Sequence, residues 1–352
     1  MAARFDQDAM RLLGEPVLLE ETVGVRGYVK AADMLISDEG TLIYSRATAA
    51  PGGGRGEPVW VERDGRASPV APDWTLAARY PSLSPDGRQL AVSITEPAEK
   101  LQLWVRQLER GTTTKLTHEG SANWRASWLP DNRSVIYLSD RKRSGEVLIR
   151  RVDGAGGDST AMSRGEISEV LVTRDGKWLV YRQGANTVSD LFARRTSGDT
   201  TVIPLATSEY LERNPDVSPD GRFLAYTSNE TGVTEVYVRP FPNATDNKWL
   251  VSTAGGMNPA WSPDGRELFY RNGSGNLIAV EVVANGTPPL GRQRVLFPVL
   301  PYAFEATHRS YDVTPDGKRF VMIRKVVGTT PTVEPLTVVE NFFEVLRKKV
   351  PR

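Results

Sequence analysis

The chain has 352 residues, of which 39 % are hydrophobic and 25 % charged, the make-up of a folded globular protein rather than a disordered one. Its 44 Lys and Arg balance 43 Asp and Glu, which argues against nucleic acid as the main partner, since that requires a concentrated basic face. Cysteine is absent and histidine occurs only at His118 and His308, which removes disulfides, thiolate metal sites and Cys nucleophiles and leaves little imidazole for chemistry.

At the N-terminus, MAARFDQDAMRLLGEP lacks the apolar segment of a signal peptide. No apolar run approaches the ~20 residues of a membrane-spanning helix, so no membrane insertion of this chain is expected. Beyond this stretch one unit repeats along the chain. A Ser-Pro-Asp-Gly-type turn followed by an apolar strand appears as ISDEGTLIYS, LSPDGRQLAVS, WLPDNRSVIYLS, VTRDGKWLVYR, VSPDGRFLAYTS, WSPDGRELFYR and VTPDGKRFVMIR. The last turn residues are Gly40, Gly87, Asn132, Gly176, Gly221, Gly265 and Gly317. Their spacing is close to the ~40–45 residues of one four-stranded propeller blade. Pro presets φ in such a turn, Asp caps the local backbone, and Gly or Asn accepts the left-handed corner.

After each hairpin a third alternating run follows, such as LQLWVRQLERG or TEVYVRPFP, and then a shorter fourth, such as TTKLTHEG. Four strands per repeat predict an all-β, antiparallel β-propeller. The seven copies predict seven blades; a six-bladed ring with one repeat displaced is the alternative. In the last blade, PLTVVENF is expected as third strand and Pro16–Glu21 as outer strand, because FDQDAMRLLGEPVLLEE parallels VEVVANGTPPLGRQRVLF. Both chain ends then close a single domain over 1–352, with 1–22 as the closing strand. Residues 336–352 supply a terminal strand and a short basic tail, with a short helix expected in NFFEVLRKKVPR.

Repeats such as NPDVSPDGRFLAYTSNETGVTEVYVRPFP and NPAWSPDGRELFYRNG resemble those of the TolB propeller family of the bacterial periplasm. The order of SNETGVTEVYVRPFP, a KWLVSTAGG-type strand and a PLTVVENFFEVL-type segment is similar to the propeller modules that follow the transmembrane segment of bacterial serine/threonine kinases. That resemblance implies a sensing or interaction module on the extracytoplasmic side of a membrane-anchored signalling protein, and a cytoplasmic one otherwise. The kinase motifs themselves, a Gly-rich phosphate loop, His-Arg-Asp and Asp-Phe-Gly, do not occur in these residues.

Other chemistry finds little support. A serine hydrolase needs Gly-x-Ser-x-Gly on a strained elbow, and Asn272-Gly273-Ser274-Gly275 reads better as a hairpin turn. The turn acids Asp86, Asp131, Asp175, Asp220, Asp264 and Asp316 fall one per blade, whereas calcium needs six to eight converging oxygens; capping is the expected role. The two histidines are expected in solvent, and neither a metal nor another cofactor is expected. The tryptophans should pack between blades, with Trp74 and Trp124 the most exposed. Ala49–Gly56 lacks the setting of a phosphate loop, and Asp140–Ser144 and Leu346–Lys349 are short basic surface clusters.

Strand alternation predicts the channel wall. Counting back from each turn, Tyr80, Arg125, Glu169, Asn214, Asn258, Ser310 and Asp33 share one position, and all can hydrogen-bond. They are expected to ring the channel mouth and bind ligand, with Asp216 and Asp312 deeper inside and no catalytic residue assigned. Arg125, a planar fork beside the amphipathic Tyr80, suits a carboxylate. The functional expectation is a monomeric, non-catalytic module that binds a protein, a peptide or a small, including anionic, ligand. The rival is a propeller lyase or lactonase-like hydrolase working at the channel.

Overall fold

The computed structural model describes residues 2–6, 11–17, 25–26, 31–32, 34–45, 56–74, 76–96, 100–141, 145–163, 165–184, 188–244, 247–283, 286, 289–326 and 336–349. It divides the chain into two compact units, one of residues 55–326 and one of 1–54 with 327–352. Asp33, residues 18–21 of the expected closing strand, 49–55 of the Gly-rich loop and 142–144 of the first basic cluster lie outside the described residues.

The larger unit contains six antiparallel four-stranded sheets. Blade one runs Ala78–Leu83, Gln89–Thr95, Leu101–Gln107 and Thr113–Lys115 from the inside outwards. Blades two to five repeat this order with inner strands Asn123–Trp128, Ile167–Val172, Arg213–Val217 and Gly256–Trp261. In the sixth, Tyr311–Val313 and Arg319–Lys325 take their outer partners, Gly56–Glu62 and Ala67–Pro69, from the other end of the unit.

The turns do what their residues suggest. Ser84, Ser218 and Ser262 donate their hydroxyls to Asp86, Asp220 and Asp264, and Thr173 and Thr314 do the same to Asp175 and Asp316, each at 2.6 Å. The same carboxylates accept the amide two residues on, so each acid caps its own turn.

Both faces of a blade are apolar, and each is covered by a neighbour. One buried cluster sits between each adjacent pair around the ring. Between blades one and two, Ala91, Leu103 and Val105 meet Trp128 and Tyr137. Between five and six, Phe269 and Leu277 meet Tyr311, Phe320 and Val61. Between six and one, Val321 and Ile323 meet Leu90 and Val92, which closes the ring. Trp128 and Trp261 donate their indole N–H to the inner-strand carbonyls of Ser82 and Asp216 on the preceding blade. Trp74, expected to be exposed, is buried in the cluster between six and one.

The all-β antiparallel propeller is the expected fold; the 55–326 unit holds six four-stranded blades, the strands of the first repeat pair in the smaller unit, and the ring is closed by different strands. Arg319–Lys325 pairs along its whole length with Gly56–Glu62, from Arg319 opposite Glu62 to Lys325 opposite Gly56. Phe320, Val321, Met322 and Ile323 are all buried in the middle of that ladder. The first repeat offers only the short strand Leu42–Ser45, and the longer apolar ladder takes the EPVWVERDG run. Residues Arg11–Val17, containing part of the expected closing strand, pair instead with Ala2–Asp6. Leu336–Val339, expected in the last blade, pairs with Leu42–Ser45, which also pairs with Met34–Ile36. In this smaller unit Leu42, Tyr44 and Phe342 form a core with Val339, Val345 and Leu346, and the expected helix spans Phe342–Lys349.

Two changes separate these modes of closure. Removing residues 1–22 leaves all four strands of blade six in place, so the denaturation midpoint of the 55–326 unit is expected to move by less than about 0.5 kcal/mol in stability. Phe320→Ala empties the space between Phe269, Phe297 and Tyr311 and is expected to cost about 3–5 kcal/mol in the same measurement.

Candidate functional site: a channel filled from one end

Four inner strands carry a residue in the left-handed region: Tyr80 (φ 52°), Arg125 (φ 56°), Asn214 (φ 52°) and Asn258 (φ 55°). At each, the pairing with the second strand slips by a bulge. Asn tolerates this conformation, whereas Tyr and Arg are held in it by their surroundings, and such strain gathers at functional positions. A bulge also re-aims a side chain, here toward the ring axis.

These residues were expected to line an open mouth. Instead Tyr80, Arg125, Glu169, Asn214, Asn258 and Ser310 are all buried, between 1 and 8 % exposed. Part of the connection between blades five and six, Glu305–Ser310, covers them. Asn258 Nδ2 donates to the carbonyls of Glu305 (3.2 Å) and His308 (3.1 Å), and the Glu305 amide donates to Ser310 Oγ (2.8 Å). Arg79 pairs with Glu305 at 3.1 Å, and Arg125 donates to Thr307 Oγ1 at 2.8 Å and to the Ser168 carbonyl. The connection is thereby tied to blades one, two and five at once.

His308, expected in solvent, is a correction of the same kind. Its ring meets Tyr80 edge-on at 5.1 Å, and its Nδ1 lies 3.1 Å from Glu169 Oε1. Burial pushes its pKa down to about 4 despite the nearby carboxylate, with Arg125 and Arg309 adding to the effect. Burial alone would raise Glu169, but Arg182 at 2.9 Å, His308 and Arg125 hold it at about 2. Glu169 Oε2 also accepts the Asn214 amide at 2.9 Å. His118, by contrast, is exposed as expected.

Toward the turn end the channel stays open as a recess of about 140 Å³. Its lining includes Ser82, Ser127, Asp216, Asp312, Arg309 and, at the rim, the exposed Arg174. Asp216 and Asp312 are inside as expected, and both are already engaged. The Trp261 amide donates to Asp216 Oδ2 and the Leu83 amide to Asp312 Oδ2, each at 2.8 Å. Arg309 bridges the two acids, 3.0 Å from Asp216 and 3.5 Å from Asp312. Burial raises the Asp216 pKa, with Arg309 and the Trp261 amide opposing. Among the described residues no group of three or more His, Asp or Glu is placed to hold a metal ion.

Alternation along the inner strands found the ring residues but not Arg182, Arg309 or Arg174. Arg182 left little trace, since other repeats hold Ser93, Leu138 and Thr227 at its place in the second strand but two more hold Arg46 and Arg271. Arg309 left none, because it lies in a connection that only the fold brings to the axis.

A family model, the TolB beta propeller domain, matches residues 71–231. An uncharacterized protein of Agrobacterium fabrum is 24 % identical over 209 residues, which cover 56 % of this chain and 70 % of that protein. The Tol-Pal system protein TolB of Francisella tularensis is 26 % identical over 193 residues, 52 % of this chain and 43 % of that one, so the match spans less than half of its length. A TolB structure from Agrobacterium tumefaciens superposes with a TM-score of 0.62 at 18 % identity, covering 78 % of this chain and 100 % of that chain. Oligogalacturonate lyase of Vibrio parahaemolyticus reaches 0.50 at 11 % identity, over 87 % and 81 % of the two chains. The likeness is to TolB-like propellers, and for the solved structures it is one of fold.

The buried His308 gives stability a defined pH dependence. The unfolded chain takes up this proton near pH 6.5, while the folded protein resists it until about pH 4. Stability is therefore full above pH 6.5 and falls as pH drops toward 4, by roughly 2–3 kcal/mol from this group. Glu169, depressed from 4.5 to about 2, adds a second loss below pH 4.5. Urea midpoints measured from pH 7 to 4.5 are expected to fall in the native sequence and to stay nearly flat over this range in His308→Gln.

Proposed function

We propose that this chain is a non-catalytic β-propeller binding module that receives part of a protein or peptide, or a small ligand, in the open recess. The observation that carries this reading is the engagement of the channel's acids and of His308. Asp216 and Asp312 fasten neighbouring blades and hold Arg309, while Glu169 and His308 lie beneath the covering connection. A lyase or hydrolase needs an acid or base free to exchange protons with its substrate, and these groups are committed to the scaffold.

The size of the recess supports the same choice. At about 140 Å³ it is well below the roughly 300–1,000 Å³ of pockets that enclose whole small molecules. It suits one side chain or a chain terminus, presented by a partner that rests on the surrounding turns. Arg174 Nη1 donates to the Pro263 carbonyl at 3.1 Å, which leaves its charge at the rim for an anionic group. A rigid wall of inner strands lowers the ordering cost of such contacts.

A role as the extracytoplasmic sensor part of a bacterial signalling protein is supported by the resemblance of the repeats to kinase-linked propellers. The Tol-Pal system protein among the relatives is a component of a protein assembly by its name, which agrees with a protein partner.

A panel of short peptides with free or amidated C-termini, titrated against the purified protein, tests this reading. Carboxylate-bearing members are expected to bind, and Arg174→Ala to weaken them by about 1–3 kcal/mol without moving the melting temperature. Turnover of oligogalacturonate to an unsaturated product, or indifference of every binder to Arg174→Ala, would overturn it.

A further inference from the structure

Charges along the channel axis pair off until Glu169 is reached. Arg79 has Glu305, and Arg309 has Asp216 and Asp312. Around Glu169, two buried guanidinium groups, Arg125 and Arg182, face one carboxylate, and His308 beside them is neutral above about pH 4. Burial lowers the pKa of Arg182, and the charges of Arg125 and Arg213 push it the same way against Glu169. None of Arg125, Glu169 or Arg182 lines the open recess.

The spare hydrogen-bonding capacity here lies on groups able to donate. Nε of Arg125, Nη1 of Arg182, Oγ of Ser168 and the Tyr80 hydroxyl are buried without a hydrogen-bond partner, while Nε of Arg182 faces Glu169 Oε2 at 2.9 Å. Arg182 is 1 % exposed, Tyr80 2 % and Arg125 6 %. A buried cation with unmet donors is costly, and water meets it only in part because water must also donate. An anion accepts from every side and cancels the excess charge, and guanidinium forks suit it geometrically.

We propose that this buried cluster is an anion-binding site for a halide ion or a single carboxylate group, with Arg182 and Arg125 as its principal ligands and Ser168 and Tyr80 as hydroxyl donors. The site is independent of what occupies the recess. Its anion comes either free from solution or on the end of a bound peptide.

The full chain, titrated with sodium bromide and with sodium formate at constant ionic strength, is expected to show a saturable rise in melting temperature. Bromide located by anomalous diffraction is expected within about 3.5 Å of Arg182 Nη1. Arg182→Met is expected to weaken the bromide midpoint by roughly tenfold or more. Glu169→Gln removes the competing carboxylate and should tighten it by a similar factor. This second variant, opposite in sign, carries the test if the first does not fold. A peptide with a free C-terminus that displaces bromide, while its amide does not, assigns the anion to a bound chain end; displacement by neither assigns it to a free ion. A linear, unsaturable response, midpoints unchanged in Glu169→Gln, or bromide confined to the outer surface would overturn the site.

Discussion

A propeller blade is apolar on both faces, and no single sheet can bury two faces by itself. This constraint organises the 55–326 unit. Six clusters, one between each adjacent pair of blades, hold nearly all of its large buried side chains. A row of stacked sheets would leave two faces wet at its ends, so the row bends until the last covers the first. The Val321–Leu90 side of blade six and its Phe320–Phe269 side are the two halves of that solution. Polar staples follow the same geometry: Glu169, Asp216 and Asp312 each reach across to an amide of the next inner strand.

Bending into a ring creates an axis where six inner strands converge, and the structure uses its two ends differently. One end is filled by Glu305–Ser310, which brings His308, Thr307 and Arg309 among residues far away in sequence. The other remains a small recess floored by Arg309 and its two acids. Arg309 thus belongs to both ends, being part of the inserted connection and part of the recess wall. The strained backbone at Tyr80 and Arg125 belongs to the same arrangement, because their side chains must turn inward to meet the connection.

The sequence made the repeat legible because turn chemistry is local: Ser or Thr, Asp and Gly need only each other. Alternation likewise placed Asp216 and Asp312 on the axis and Val217 and Val313 between blades. Closure was harder to read. The runs LIYS and FVMIR look alike as text, and only the length of the apolar ladder each can form decides which one takes EPVWVERDG. The burial of the ring residues was not readable either, since alternation says which way a side chain points and nothing about what comes to cover it. His308 sits in a stretch with no strand pattern, and its partner Glu169 lies 139 residues earlier.

The closing pair also fixes an order of events during synthesis. Glu57 and Arg324, ion-paired in the finished sheet, are 267 residues apart. Gly56–Glu62 leaves the ribosome before any blade is complete and waits, as an apolar strand without a neighbour, until Arg319–Lys325 emerges. Contacts of such sequence separation form slowly, because a long loop must close before they reward it. A nascent chain halted anywhere in the five intervening blades carries an open edge and an uncovered sheet face, the features that draw chaperones or neighbouring chains. Completion of the ring is thus a late, all-or-nothing step, and the channel, with everything that lines it, exists only once that step is done.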